Sequence, residues 1–300
     1  MPSDNITKRI GSSLSLLFEL LRIRNCIIGF LGVLVGASFT YSGEGAFLSS
    51  LVIISGFAVF LIIGAGNIIN DYFDIEIDSV NKPDKPLPSG KVSKSDALML
   101  SVILFLFGIG MSKSVNQYCF YIATINTIIL IIYATYSKRM LFISNLIVSY
   151  LVASIFLFGA LTNLESFLLA EQRNINLLTV LGVCAFLMTL SREIVKDIED
   201  IKGDKYKYAL TIPTKIGTKK ARMIASLFSF IAVLFSIIPF FLPIESFNLL
   251  IYGIFVGVAD IIFLISLYTP EYIAQRIMIG GMIVALFAFL LGDMIPKILS

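Results

Sequence analysis

Histidine and tryptophan are absent from this 300-residue sequence, and cysteine occurs only three times. Without histidine the chain has no histidine-ligated haem or zinc site, and it lacks the commonest general base near neutral pH. Cys26, Cys119 and Cys184 lie singly in apolar segments, a pattern that favours packing over disulfide or metal chemistry. A general base in this chain would therefore have to be a carboxylate, a phosphate oxygen or water.

Charged residues are also scarce, at 14% of the chain, whereas 57% of the residues are hydrophobic. A soluble domain carries about 25% charged residues. Apolar stretches of about 20 residues, enough to cross a bilayer core, recur throughout. They predict an all-α membrane protein with nine spans, over residues 26–43, 47–69, 96–113, 118–136, 142–163, 176–194, 221–242, 247–268 and 274–295. The net charge of +3 gives no indication of nucleic-acid binding.

The distribution of lysine and arginine predicts an orientation. When loops are assigned alternately to the two sides of the membrane, all of the 23 basic residues except Lys113, Arg173 and Lys297 fall on one side. That side is predicted to be cytoplasmic, with the N-terminus inside and the C-terminus outside. Residues 10–24 are predicted to form an amphipathic helix on the cytoplasmic face. The first span lacks a clear cleavage site and is predicted to be retained rather than cleaved as a signal peptide.

Two acidic patterns follow the second and sixth predicted spans, in the stretches "NDYFDIEID" and "KDIEDIKGD". Both read D-x-x-D-x-x-x-D, with the aspartates at Asp71, Asp74, Asp78, Asp197, Asp200 and Asp204. Four crossings separate the patterns, so both are predicted on the cytoplasmic side. The repetition predicts a single domain over 1–300, with halves of about 1–140 and 141–270 and a ninth helix.

At about 100° per residue, the three aspartates of each motif fall on one helix face. Such like charges repel, and a buried aspartate costs about 2.5–3.5 kcal/mol at mid-membrane, so a compensating cation is expected. Carboxylates with an amide oxygen are hard ligands for Mg²⁺, which keeps positions open for phosphate oxygens. The two faces are therefore predicted to bracket a Mg²⁺-diphosphate. Asn67 and Asn70 flank the first face, Glu193 and Lys196 hold the equivalent places in the second, and Glu76 points away.

Basic and polar residues near the motifs are candidate contacts of that diphosphate. The proline-rich segment after the first motif is predicted to form a loop in which Gly90 permits a turn. Topology signals facing lipid head groups are the alternative explanation for each cation. A groove lined by phenylalanine, leucine and isoleucine is expected to hold an isoprenoid tail. The candidate contacts are Lys82, Lys138, Arg139, Lys196, Arg22, Asn25, Asn67 and Asn70.

Over essentially the whole chain, the nine spans and two motifs resemble the UbiA superfamily of intramembrane prenyltransferases. The signatures of that family are N-x-x-x-D-x-x-x-D and D-x-x-x-D. They are matched here by Asn70, Asp74, Asp78, Asp200 and Asp204. The resemblance implies that these residues bind two Mg²⁺ ions and an isoprenyl diphosphate, with Asp71 and Asp197 as further participants. It also implies an all-helical bundle around a central cavity open to lipid.

The reaction implied by the resemblance is allylic transfer, in which an acceptor attacks C1 of the prenyl chain as diphosphate leaves. The motifs are most similar to the archaeal branch, which transfers a geranylgeranyl group from geranylgeranyl diphosphate to geranylgeranylglyceryl phosphate and so forms the second ether bond of archaeal membrane lipids. The nine basic residues from Arg192 to Arg222 are compatible with a lipid phosphate acceptor. An aromatic prenyltransferase of the quinone or chlorophyll type, and a cation-coupled transporter, are the alternatives.

Overall fold

The structure is a computed structural model that describes residues 14–41, 49–136, 141–206, 210–243 and 247–299. Within these ranges every regular element is helical. The helices are α1 (Leu14–Leu21), α2 (Ile23–Ser38), α3 (Ser50–Phe73), α4 (Ile75–Asn81), α5 (Lys94–Val115), α6 (Gln117–Tyr136), α7 (Leu141–Ala160), α8 (Leu164–Leu168), α9 (Gln172–Glu199), α10 (Ile201–Tyr206), α11 (Ile212–Ile216), α12 (Thr218–Ser236), α13 (Leu249–Ser266) and α14 (Glu271–Leu299). A 3₁₀ turn at Ile238–Phe241 extends α12.

Eight of the described helices are long and apolar enough to cross a membrane: α3, α5, α6, α7, α9, the extended α12, α13 and α14. The pair α1 and α2, bent by 58°, brings the number to nine if it forms one span. The predicted all-helical membrane fold is confirmed at this level. Apolar side chains such as Leu106 and Leu250 point outward from the bundle, as lipid-facing residues do. The orientation and the division into two halves stay predictions.

Two spans run further than their hydropathy predicted. α3 continues beyond residue 69 to Phe73, and α9 continues beyond residue 194 to Glu199. The added residues include Asp71 on α3 and Asp197 on α9, and Asp71 is almost fully buried within the protein. Polar residues of a membrane helix that face the bundle interior avoid contact with lipid. α3 therefore carries the first aspartate of its motif into the core, and α9 carries the corresponding Asp197 to a half-buried position.

The crossing of α2 and α7 brings two helix backbones into direct contact. A Cβ atom added at Gly36 would overlap the carbonyl oxygen of Phe156, and one added at Gly159 would overlap the carbonyl oxygen of Val33. Small residues allow such close packing in membranes, where apolar side chains gain little by leaving lipid. On either side of this crossing, α2 also packs against α3, and α7 also packs against α9.

Each acidic motif interrupts its helix at its middle aspartate. Asp74 separates α3 from α4 with φ −88° and ψ 6°, and Asp200 separates α9 from α10 with φ −82° and ψ 4°. A ψ near zero redirects a chain that had been helical. The continuous helix assumed for each motif is therefore wrong, because the third aspartate lies on the next, short helix. The short helices α4 and α10 pack together, so both motifs meet at one end of the bundle.

Candidate active site

A cavity of about 650 Å³ lies beside the two motifs. Its apolar wall comes mainly from α3, α6, α7 and α14 and includes Val59, Ile62, Leu130, Leu151, Ile155, Phe158, Ile279 and Met282. Its head region, the part next to the motifs, is polar and is lined by Arg22, Asn67, Asn70, Lys82, Lys85, Arg192, Glu193 and Lys196. An apolar cavity with a few convergent polar groups is the usual form of a small-molecule site. This one suits a ligand with an anionic head and a hydrocarbon tail.

The first motif is held together by cations. Arg22 Nη2 lies 2.6 Å from Asp71 Oδ1, and Lys85 Nζ lies 3.0 Å from the same oxygen. Lys85 Nζ also donates to Asp78 Oδ2 at 2.6 Å. Lys85 thereby bridges the first and third aspartates, which converge even though the helix breaks between them. Desolvation of these almost fully buried carboxylates is offset by close, charge-assisted hydrogen bonds.

Arg22 is aimed at Asp71 by the bend between α1 and α2. It has φ 50° and ψ 60°, and no other non-glycine residue in the described ranges has a positive φ. The left-handed conformation costs about 1–2 kcal/mol for such a residue and persists only where surrounding contacts enforce it. The predicted amphipathic helix over 10–24 therefore ends early, at Leu21, because the chain turns here to make the ion pair; residues 10–13 lie outside the described ranges.

The second motif is joined to the first by the loop after α4. Lys82 Nζ lies 2.9 Å and 3.1 Å from the two carboxylate oxygens of Asp200. Asn81 Nδ2 donates to the backbone carbonyl of Asp200 at 3.2 Å. Gly90, in the same loop, has φ 73°, which bears out its predicted role in a turn. The two motifs are thus joined through the residues that directly follow the first motif.

The remaining aspartates of the second motif are also drawn into the protein. Asp197 Oδ2 accepts from Asn145 Nδ2 of α7 at 2.9 Å, and Asp204 is completely buried. Sequence reasoning missed Asn145, although a single asparagine in an otherwise apolar span is a recognisable signal of function or interior contact. Glu76 is exposed, in agreement with the prediction that it takes no part.

Asn70 presents an oxygen that suits a metal. Its Nδ2 donates to Asp74 Oδ2 at 3.0 Å, whereas its Oδ1 is buried without a hydrogen-bond partner among the described residues. Leaving a buried polar atom unsatisfied costs about 1–3 kcal/mol. An amide oxygen beside carboxylates forms the hard oxygen donor set that Mg²⁺ prefers. The residues at this end of the bundle therefore fit the predicted ion by their chemistry.

Two lysines are paired with carboxylates that are candidate metal ligands. In the part of the chain that the structure describes, no three acidic side chains converge closely enough to chelate an ion as they stand. Asp78 is held by Lys85 and Asp200 by Lys82. Lys82 contacts both carboxylate oxygens of Asp200, so a divalent ion can bind this carboxylate only if Lys82 releases it, whereas Lys85 contacts one oxygen of Asp78. A released ammonium group is then available to an anionic ligand.

One face of α9 lines the head region with charged side chains. Arg192 Nη1 lies 2.7 Å from Glu193 Oε1, and Lys196 Nζ lies 3.0 Å from Glu193 Oε2. Arg192 Nε is buried and has no hydrogen-bond partner in the described ranges. Lys196 is a predicted contact residue, whereas Arg192 was missed. Its only signal was membership of a long basic segment, which does not reveal which side chains face inward.

Two other predicted contacts also reach the cavity. Asn25 lines it, and Asn67 lines it while donating from Nδ2 to the carbonyl oxygen of Leu21 at 2.9 Å. Lys138 and Arg139, both predicted to contact diphosphate, lie outside the described residues.

A pair of polar residues deeper in the cavity was also missed. Asn126 Nδ2 on α6 donates to Ser154 Oγ on α7 at 2.9 Å, and both residues line the cavity. The signal for Asn126, as for Asn145, was an asparagine within a largely apolar span, whereas Ser154 is one of several serines in α7 and gave no signal. The pair ties α6 to α7 where they form the apolar wall.

The chain is similar to proteins of known family along most of its length. The sequence profile of the UbiA prenyltransferase family matches residues 30–291. The digeranylgeranylglyceryl phosphate synthase of Methanococcoides burtonii is 41% identical over 289 residues, which cover 91% of this chain and 98% of that protein. That of Methanosphaera stadtmanae is 38% identical over 284 residues, covering 91% and 97%.

Solved structures give the same picture. A structure of digeranylgeranylglyceryl phosphate synthase matches with a TM-score of 0.68 at 33% identity, covering 94% of this chain and 99% of that one. A UbiA homologue from Archaeoglobus fulgidus bound to GPP and Mg²⁺ matches with a TM-score of 0.62 over 90% of this chain and 99% of that one. At 15% identity the latter likeness concerns the fold alone.

Proposed function

Because the chain belongs to the UbiA prenyltransferase family, we propose that it transfers a geranylgeranyl group from geranylgeranyl diphosphate to geranylgeranylglyceryl phosphate. The product is digeranylgeranylglyceryl phosphate, after which the relatives at 41% and 38% identity are named. The observation that carries the proposal is a cavity with an apolar wall whose head region adjoins both acidic motifs. Its two parts match the tail and the diphosphate of the donor.

Five residues are proposed to hold Mg²⁺, as two ions, at the head region. They are Asn70, Asp74, Asp78, Asp200 and Asp204. The bound metal neutralises charge on the diphosphate and so makes it a better leaving group. The donor set supports this proposal through the unpartnered Asn70 Oδ1 and the clustered carboxylates of both motifs. In this proposal Asp71 stays paired with Arg22 and holds the first motif in position without binding the metal.

Cations of the head region are proposed to bind the diphosphate. Lys82 and Lys85, once released by the aspartates, can donate to its oxygens, with Arg22 beside them. Charge develops on the bridging oxygen as the bond to C1 breaks, so donors that reach this oxygen stabilise the transition state more than the ground state. Lys138 and Arg139 belong to the same proposal on the grounds of their sequence position after the fourth predicted span.

The chemical step exchanges one C–O bond for another. The bond between C1 of the prenyl chain and the diphosphate oxygen breaks, and its electron pair leaves with diphosphate. A free hydroxyl of the acceptor forms a new ether bond to C1, and its proton passes to a carboxylate, a phosphate oxygen or water, because the chain has no histidine. The apolar wall, including Ile62 and Phe158, packs around the chain and keeps water away from the electron-deficient carbon. Acceptor attack is thereby favoured over hydrolysis.

Transfer by the purified, detergent-solubilised protein tests the proposal. Radiolabelled geranylgeranyl diphosphate is supplied with geranylgeranylglyceryl phosphate, and Mg²⁺ is either present or chelated. A Mg²⁺-dependent, doubly prenylated lipid phosphate is expected. Parallel reactions with 4-hydroxybenzoate and a naphthoate acceptor test the aromatic alternative; product from these alone would overturn the lipid assignment.

The acidic motifs provide a residue-level prediction. Asp74→Asn and Asp200→Asn are each expected to lower transfer by about 10²–10³-fold, the range typical of losing one electrostatic group from a catalytic site. Both variants should stay folded in detergent. Asp84→Asn is the matched control, because Asp84 is exposed in the loop that follows the first motif. Wild-type rates in either motif variant would contradict the assigned roles.

A further inference from the structure

The head region contains two groups of cations, which differ in their carboxylate partners. Those of the first group, Arg22, Lys82 and Lys85, are paired with aspartates of the motifs. The second group consists of Arg192 and Lys196 on α9, whose shared partner is Glu193. Both groups line one cavity. The proposed reaction likewise brings two anionic head groups into one site, a diphosphate and a phosphate monoester.

The second group has no counterpart at the corresponding positions beside the first motif. When Asp71 is aligned with Asp197, the positions on α3 that match the charged face of α9 carry neutral residues: Gly66, Asn67 and Asn70. Both sets line the cavity. The acidic motif is thus present in both halves, whereas the cationic face belongs to the second half alone. A duplicated metal motif does not require this face, so the face calls for a different ligand.

This face carries a net positive charge that can bind an anion. Glu193 neutralises one of its two cations, and Arg192 Nε is buried without a hydrogen-bond partner among the described residues. A phosphate monoester offers three strong acceptor oxygens and matches the planar fork of an arginine. Glu193 meanwhile contacts both cationic side chains, and thereby aligns them for a ligand.

Other cations of the long basic segment are directed elsewhere. Lys202, Lys205, Lys215, Lys219 and Lys220 are exposed. Arg222 Nη1 pairs with Glu271 Oε1 at 2.6 Å. Of the nine basic residues from Arg192 to Arg222, only Arg192 and Lys196 line the cavity among those that the structure describes. Among the described residues of this segment, these two side chains are therefore the candidates for binding a lipid phosphate.

We propose that Arg192 and Lys196 bind the phosphate group of the lipid acceptor, on a face of the cavity distinct from the diphosphate site. This inference rests on the proposed function and adds to it the residues that select a phosphorylated acceptor. The acceptor head lies against α9, and the donor head lies against the two acidic motifs. Two anions are thereby kept apart by separate cationic partners in one cavity.

Kinetics with each substrate varied in turn test this assignment. Arg192→Gln and Lys196→Gln are each expected to raise the KM for geranylgeranylglyceryl phosphate about 10- to 100-fold, the effect of losing a hydrogen bond between charged groups. The KM for geranylgeranyl diphosphate should stay within about twofold. Lys196→Arg keeps the charge and should restore acceptor KM. Lys94→Gln, an exposed cation at the start of α5, is the matched control.

Equilibrium binding separates this inference from the proposed function, because it needs no turnover. Wild type should bind geranylgeranylglyceryl phosphate more tightly than the phosphate-free geranylgeranylglycerol, and both glutamine variants should lose that preference while still binding geranylgeranyl diphosphate with Mg²⁺. An unchanged preference in the variants, or a loss confined to the diphosphate, would overturn the inference and leave the transferase intact. Selective loss of the preference in a protein that transfers nothing would instead support the site and refute the proposed reaction.

Discussion

Glu193 is an acidic residue placed inside a membrane span, with two cations as its contacts. Removing one partner from a buried ionic cluster costs more than the cluster contributes when intact, because the remaining charges stay desolvated. Glu193→Gln is therefore expected to lower stability by about 3 kcal/mol, read as a drop in melting temperature in detergent. Glu165→Gln, at an exposed site on the short α8, should leave it unchanged. Equal melting of both variants would show that the cluster is not stabilising.

Side chains that repeat at a fixed spacing could be predicted from the sequence, because the spacing itself carries the information. Asp71, Asp78 and Asp200 were identified in this way and do meet at one end of the bundle. Arg192 could not be singled out, since composition does not distinguish a cation that faces a cavity from one that faces water. Its role depends on how α9 is rotated in the bundle, which is a property of packing.

At the scale of elements, the spans were predictable and their ends were not. A span predicted from hydropathy ends at the first polar residues. The helix itself can continue where these residues face the protein interior, as Asp71 does. The breaks at Asp74 and Asp200 carry no glycine or proline, and aspartate is no strong helix breaker, so they left no signal in composition. Contacts between α4 and α10 accompany both breaks.

The close backbone contact between α2 and α7 can be tested by a glycine-to-alanine substitution. Gly159→Ala is expected to destabilise the protein by about 1–3 kcal/mol, because the added methyl group meets the backbone of α2 rather than a movable side chain. Gly110→Ala is the matched control: it lies in α5, where an added Cβ meets nothing within 4 Å. A lower melting temperature for the first variant only is expected, and equal melting would argue against the contact.

At the scale of the whole molecule, the two motif regions are joined by side chains rather than by a continuous sheet or long interface. Lys82 reaches from the loop after α4 to Asp200 at the end of α9, and Asn81 contacts the same residue. Sequence reasoning predicted that the motifs would face each other with a metal and substrate between them. It did not predict that lysines would already join them, because ion pairs across more than a hundred residues follow from the tertiary fold.

The lysine contacts allow the bundle to assemble before magnesium binds. Since Asp71, Asp78 and Asp200 already have internal partners, mutual repulsion of the acids does not oppose assembly of the bundle. The bundle is therefore expected to assemble without magnesium. Chelation is expected to shift the melting temperature of the substrate-free protein by less than about 2 °C, which is no more than the effect of about 1 kcal/mol on a domain of this size. Unfolding on chelation would instead make the ion part of the folding pathway.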